Sequence, residues 1–476
     1  MFEAASDQQS SKRKSAVTNR HPDTFAGSQA PVPGIRAIQE SLGETSRYPL
    51  NVEAYEDLGD EDIPFTRYTS TEFFAREMDK VWTKTWQWAC REENLRDVGD
   101  FVVYDIGNYS IIVVRAAPGE IKAFYNSCMH RGTKFNHSFT SGHRQIIACP
   151  YHGWSWKLDG TINEIPSQWD FPHVDENDVR LAEVRVETWA GFVFINMDPN
   201  APSLHEYLGV TVDHFKNWGM EDRYTTIHIQ KELACNWKGA MEAFMENYHT
   251  HVVHPQLNIT SSGPQTQYDL FGDHMSRFLC LQGNPDPVFE RQLSEAEKLD
   301  TMLMGDRSLA SGGPKIEGNA TARATMANYL RKHFDEELDV EVGDLTDSEI
   351  LDTIEYTIFP NMFIFPGLSL PMVYRFRPIG NDPDRSLFDL LYLRPIPRSG
   401  EYPHSAEPVR IGVEDSYTSV PNMDPGMGHV YDQDTDNLDL QQQGYYTAKK
   451  RGGTLGHYQE IRIRHLHQTL DKYLER

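Results

Sequence analysis

Two short runs constrain this chain more than anything else in it. Cys128-Met129-His130-Arg131-Gly132 and Cys149-Pro150-Tyr151-His152-Gly153-Trp154 each offer one thiol and one imidazole. The order is Cys, His, Cys, His, whereas a zinc finger ordinarily gives its cysteines first and its histidines after them. A [2Fe–2S] cluster of the Rieske type needs two cysteines on one iron and two histidines on the other. Two matching loops meet that need, and Gly132 and Gly153 suit loops that must turn closely around a cluster. A Cys/His zinc site is the alternative reading of the same residues.

The segment that carries these loops has the period of strands. "DFVVYDIGNYSIIVVRAAPGEIKAFYNS" reads as short strands split by Gly-Asn and Pro-Gly turns, and "WSWKLDGTINEI" as a hairpin turning at Asp159-Gly160. A small all-β domain is therefore expected over about 98–200. Ahead of it, 66–90 has helical periodicity, and 46–97 is expected to be a helical part packing on the larger domain. Residues 1–45 are polar and read as a mobile or subunit-wrapping arm. Beyond 200, "NWKGAMEAFMENYH" reads as helix, while "TIFPNMFIFPGLSLPMVYRFRPIG" and "RSLFDLLYLRPIP" read as strands. A charged insertion with its own helices is expected at about 285–350, and a final amphipathic helix at 456–474. The expected class is α+β: a small all-β domain, then a larger domain over 201–476 with an antiparallel sheet covered by helices.

A second constellation lies in "MENYHTHVVHP", residues 245–255. At ~100° per residue, His249 and His251 fall on nearly opposite helix faces and cannot easily share one ion. Pro255 disfavours the helical conformation at His254, so the helix is expected to end near Val253 and let His254 swing back toward His249. Two histidines and one carboxylate make a facial site that suits ferrous iron and leaves positions open. The carboxylate is either Glu246, three residues before His249, or one from elsewhere in the chain. His251 reads as a surface residue, and Met241, Phe244 and Met245 as pocket lining or ordinary core.

"CMHRG", "CPYHGWSW" and "NWKGAMEAFMENYHTHVVHP" resemble the cluster loops and iron-binding helix of the Rieske non-heme iron, ring-hydroxylating oxygenases, catalytic alpha subunit. The resemblance implies a [2Fe–2S] cluster on Cys128, His130, Cys149 and His152, and a mononuclear Fe(II) on His249 and His254. It implies that Glu246 is not a ligand but links the iron site to the cluster of a neighbouring subunit. It supplies a third ligand, Asp434, from "QDTDNLDLQQQG", where Gln442 and Gly444 follow and Asp432, Asp436 and Asp439 lie close by. It also implies a helix-grip larger domain and a homotrimer, with or without a small β subunit. The implied reaction is O2-dependent hydroxylation of a hydrophobic aromatic or polycyclic substrate, ring cis-dihydroxylation being favoured. The alternatives are monooxygenation or demethylation of a non-aromatic substrate, and a non-catalytic electron carrier. A carrier needs only ~100 residues for its cluster domain, which leaves the rest of the chain without a purpose.

Composition narrows the partners. The net charge is −25 with no basic block, which argues against nucleic acid or anionic membrane. No apolar run approaches the ~20 residues of a transmembrane helix, and the first residues lack a signal-peptide core. Five cysteines are too few and scattered for a disulfide framework, so a cytoplasmic protein with reduced thiols is expected, Cys90, Cys235 and Cys280 being buried hydrophobes. No Gly-x-Gly-x-x-Gly stands at a strand–helix junction, so electrons are expected from a separate ferredoxin or flavin reductase.

Overall fold

Short alternating strands form a seven-stranded antiparallel sheet, seen here in a computed structural model that describes residues 33–175, 177–287, 291–304, 313–400 and 402–476. Its order is Gln87–Arg91, Phe192–Asn196, Glu183–Trp189, Glu120–Tyr125, Tyr109–Ala117, Asp100–Ile106 and Ser141–His143. A three-stranded sheet of Ile147–Ala148, Ser155–Trp156 and Ile162–Glu164 packs with it through Phe101, Ile112, Phe124 and Trp156. The last two strands form the expected hairpin, with Gly160 at φ 82° in its turn. That left-handed conformation favours glycine, and a Cβ there would also strike the ring of Phe124 at 2.5 Å.

The larger sheet has eight strands: Gln267–Phe271, Met275–Cys280, Thr353–Ile358, Met362–Ile364, Met372–Pro378, Ser386–Pro395, Arg223–Leu233 and Val409–Ile411. All neighbours are antiparallel except the last pair. Its central strands are buried on both faces, which is why they read as nearly unbroken apolar runs. One face presents Tyr356, Val373, Leu391 and Leu393 to the core shared with Trp86, Trp88 and Phe215. The other presents Phe363, Tyr374, Phe376, Phe388 and Leu390 to helices Trp237–Glu242, Pro425–Asp436 and Ile461–Leu474. The segment between the second and third of these strands carries helices Glu295–Met304, Ala322–Lys332 and Asp347–Leu351.

Buried arginines tie the two sheets together. Arg375 and Arg377 both bind Asp389 Oδ2, at 3.0 and 3.2 Å. Their remaining nitrogens cross to the smaller sheet, Arg375 donating to Trp88 O and Ala89 O at 2.6 and 2.9 Å and Arg377 to Asp105 O at 2.8 Å. Burial alone would raise the Asp389 carboxyl, but the two guanidinium groups outweigh it and hold it well below the usual carboxylate range.

Two expectations need correction. The helix expected over 66–90 stops at Trp82, and Gln87–Arg91 is a fully buried edge strand paired to Phe192–Asn196. Its partner lies about a hundred residues away, and tertiary pairing overrides the local pattern. In the expected arm, Ile35–Leu42 is a helix whose Ile35 packs in the core, while 1–32 lies outside the described residues. No helix among the described residues is long and apolar enough to cross a membrane.

The core shared by the two sheets buries a histidine whose charge the fold disfavours. His214 is 3% exposed and lies beside Tyr356 Oη at 3.3 Å. Burial, then the nearby Arg277, push its pKa down to about 4. The fold therefore favours neutral His214, so its contribution is whole above the unfolded pKa near ~6.5 and declines as pH falls toward 4. Acidification from pH 8 to 5 should cost on the order of 2 kcal/mol at this site. Denaturant midpoints of wild type and His214→Gln across that range check it: the variant should lose less.

Candidate metal centres

The two Cys/His loops are structural copies of each other. In the first, Gly132 N–H donates to Cys128 O at 2.9 Å and Cys128 N–H to Thr133 O at 2.9 Å. In the second, Gly153 N–H donates to Cys149 O at 3.2 Å and Cys149 N–H to Trp154 O at 2.8 Å. Gly132 and Gly153 both turn at left-handed φ, 76° and 74°, which a side chain rarely adopts. This repeat brings the tips together. The His130 and His152 rings lie 4.7 Å apart, and His130 stacks on Trp154 at 4.9 Å. Both cysteines are buried and free. Burial raises the Cys128 thiol, and the adjacent Cys149 raises it further. Burial, then His152, lowers His130. His130 Nδ1 is buried with no hydrogen-bond partner, an expensive arrangement for a polar atom unless a metal takes the lone pair. The donor set of two thiols, two imidazoles and one orphaned ring nitrogen fits a Rieske cluster.

The second centre forms where a helix fails. The expected continuous helix over 237–253 is broken: Trp237–Glu242 ends, and helix resumes only at Thr250–Val253. In the gap, side chains take over the backbone donors. Glu246 Oε2 accepts from His249 N at 2.9 Å and from Tyr248 N, and Asn247 N–H donates to Tyr268 Oη at 3.0 Å. Local side-chain bonds of this kind compete with helix. His249 then precedes the short helix and His254 follows it with non-helical φ −122°, ψ 61°, the expected stop before Pro255.

Asp434 meets both histidines from helix Pro425–Asp436, whose Asp424 N-cap accepts from Met427 N. Asp434 Oδ1 lies 2.6 Å from His254 Nε2 and 3.4 Å from His249 Nε2. One donor atom from each of His249, His254 and Asp434 falls within 4.8 Å of the others, the grouping that can hold a metal ion. Burial opposes charge on His249 and on Asp434. Even so, hydrogen bonds to Asp434 and Glu246 overcome burial and raise His249 to about 10, and the two imidazoles keep Asp434 below its ordinary value. An imidazole set between two carboxylates lies in a donor set suited to a cation, and two imidazoles with one carboxylate fit Fe(II).

The neighbouring candidates separate cleanly. Glu246 Oε1 lies 2.8 Å from His249 Nδ1, on the far side of that ring from Asp434. His251 is exposed. Asp432 accepts from Ser416 Oγ and Tyr417 N, while Asp436 and Asp439 are exposed. Gln442 Oε1 accepts from Asn236 N at 3.0 Å, tying the helix that follows Asp434 to the start of Trp237–Glu242. Met241, Phe244 and Met245 are all buried in the main core. Arg462, which sequence reasoning missed, donates to Met245 O at 2.9 Å and anchors the gap between the two helical pieces. No local pattern marks it, because its partners lie far off in sequence.

A small all-β domain with a Cys/His loop pair, followed by a helix-covered sheet with a two-histidine, one-carboxylate site, defines a Rieske oxygenase alpha subunit. The chain belongs to that family: the family model described as ring hydroxylating alpha subunit, catalytic domain, matches residues 210–476, and the Rieske [2Fe-2S] domain model matches 85–176. The carnitine monooxygenase oxygenase subunit of Escherichia coli (strain K12) is 34% identical over 203 residues, 40% of this chain and 52% of that protein. The chain thus matches about half the length of that relative. Biphenyl 2,3-dioxygenase subunit alpha of Rhodococcus jostii (strain RHA1) is 32% identical over 188 residues, 38% of this chain and 41% of its own. Among solved structures, the quaternary ammonium Rieske monooxygenase CntA with L-carnitine has a TM-score of 0.61 at 18% identity, covering 89% of this chain and 99% of that one. Naphthalene 1,2-dioxygenase from Rhodococcus sp. has 0.59 at 19%, covering 87% and 94%.

Proposed function

We propose that this chain is the terminal oxygenase component of a multicomponent system, that Cys128, His130, Cys149 and His152 hold the cluster, and that His249, His254 and Asp434 hold Fe(II). The convergence of those last three donors carries the reading. Bound there, iron supplies O2 activation, and the cluster supplies electrons one at a time. The chain's own residues do the rest. Glu246 fixes His249 from behind. Electrons come from a separate ferredoxin or reductase, and Glu246, hydrogen-bonded to His249, bridges the iron site to the cluster of a neighbouring subunit in a homotrimer.

The substrate reading is a small quaternary ammonium compound, hydroxylated with one oxygen atom while the other leaves as water. The relatives named for carnitine support it. Arene cis-dihydroxylation is the second reading, favoured by the biphenyl relative. Turnover under labelled O2 with a surrogate reductase separates them: one labelled oxygen in a quaternary ammonium product is expected, and an arene cis-diol carrying two would overturn it.

Glu246→Gln should keep both metals yet slow single-turnover electron transfer by about 10–100-fold, the usual cost of losing such a partner. Stopped-flow oxidation of the reduced cluster measures it, and unimpaired transfer would remove the bridging role.

A further inference from the structure

Each iron-site histidine has a second ring nitrogen, and what holds that nitrogen decides where the first one points. For His249 the holder is the Glu246 carboxylate. For His254 it is an amide. His254 Nδ1 lies 3.0 Å from Gln433 Oε1, and the same oxygen accepts from Gln256 Nε2 at 2.7 Å. An amide oxygen only accepts, so Nδ1 is the donor to Gln433, and Nε2 is the nitrogen turned toward Asp434. Successive residues of one helix, Gln433 and Asp434, therefore grip the two nitrogens of one imidazole. Among the described residues no other acceptor reaches His254 Nδ1. The other acids nearby are engaged elsewhere or exposed, Asp432 with Ser416 and Tyr417.

We propose that Gln433 is the positioning residue of His254: its amide oxygen fixes the ring's tautomer and angle and so sets the affinity of the mononuclear site for Fe(II). The inference rests on the reading that His249, His254 and Asp434 hold that iron. Gln256 braces Gln433 from the exposed side, which makes the chain Gln256, Gln433, His254 a support running from solvent to the site.

The test is Fe(II) titration of the full chain, cluster intact and mononuclear iron removed, under anaerobic competition with a chelator. Gln433→Met keeps length and removes the acceptor. It should weaken Fe(II) binding about 10–100-fold while leaving the cluster absorbance and the thermal midpoint of the iron-free protein unchanged. Gln433→Glu keeps an acceptor and should bind within about threefold of wild type or tighter, since an anionic partner raises imidazole basicity. Wild-type affinity in the Met variant, or equal weakening in both variants, overturns the role of Gln433. Wild-type affinity in His254→Ala overturns the iron assignment and this inference with it.

Discussion

Asp434→Ala is expected to lose the mononuclear iron and all detectable turnover while the cluster spectrum stays intact. Partners behind a ligand usually cost 10–100-fold when removed, so loss of a ligand itself should exceed about 100-fold in Fe(II) affinity. The site has no ready substitute. Asp434 is the carboxylate that reaches both imidazoles, at 2.6 and 3.4 Å, whereas Glu246 stands behind His249. Asp432→Ala and Asp436→Ala serve as controls, because one carboxylate braces the Ser416–Tyr417 turn and the other is exposed. Iron per chain, counted against cluster absorbance, reads the result. Loss of iron in Asp432→Ala with retention in Asp434→Ala would move the ligand.

The complementary change is Cys128→Ala. It should abolish the visible cluster spectrum and reductant-driven turnover, and leave Fe(II) binding at the other site. Three ligands cannot complete the set of two cysteines and two histidines that a Rieske cluster needs. The remaining cysteines give the contrast. Burial pushes Cys90 up to about 12 and Cys280 up to about 11, so neither forms thiolate near neutral pH, and their alanine variants should keep the full spectrum. Colour retained in Cys128→Ala would point to a different cluster set.

What could be read from the chain alone was chemistry that depends on near neighbours. The paired loops, their glycines, the Asp159-Gly160 hairpin and the helix stop before Pro255 all express preferences within a few residues. Most of the misses depend on distant partners. Gln87–Arg91 looks helical until Phe192–Asn196 pairs with it. The run from Trp237 to Val253 has helical periodicity, yet Glu246 and Tyr268 take its backbone donors and split it. Asp434 could be picked from its acidic neighbours only by resemblance, since the helix face that reaches His254 is set by packing 180 residues away. Gln433 gave no sign at all, because an amide beside an acid looks like any surface pair until the fold sets an imidazole against it.

The arginine ties through Asp389 have a mechanical consequence. Opening a hinge between the two sheets would strip Arg375 and Arg377 from the carbonyls of Trp88, Ala89 and Asp105 and leave their charges in the dry interior. The chain is therefore stiff across the joint where enzymes with moving domains usually bend. The cluster loops and the iron-site donors of one chain are therefore carried on sheets that these ties hold in one arrangement.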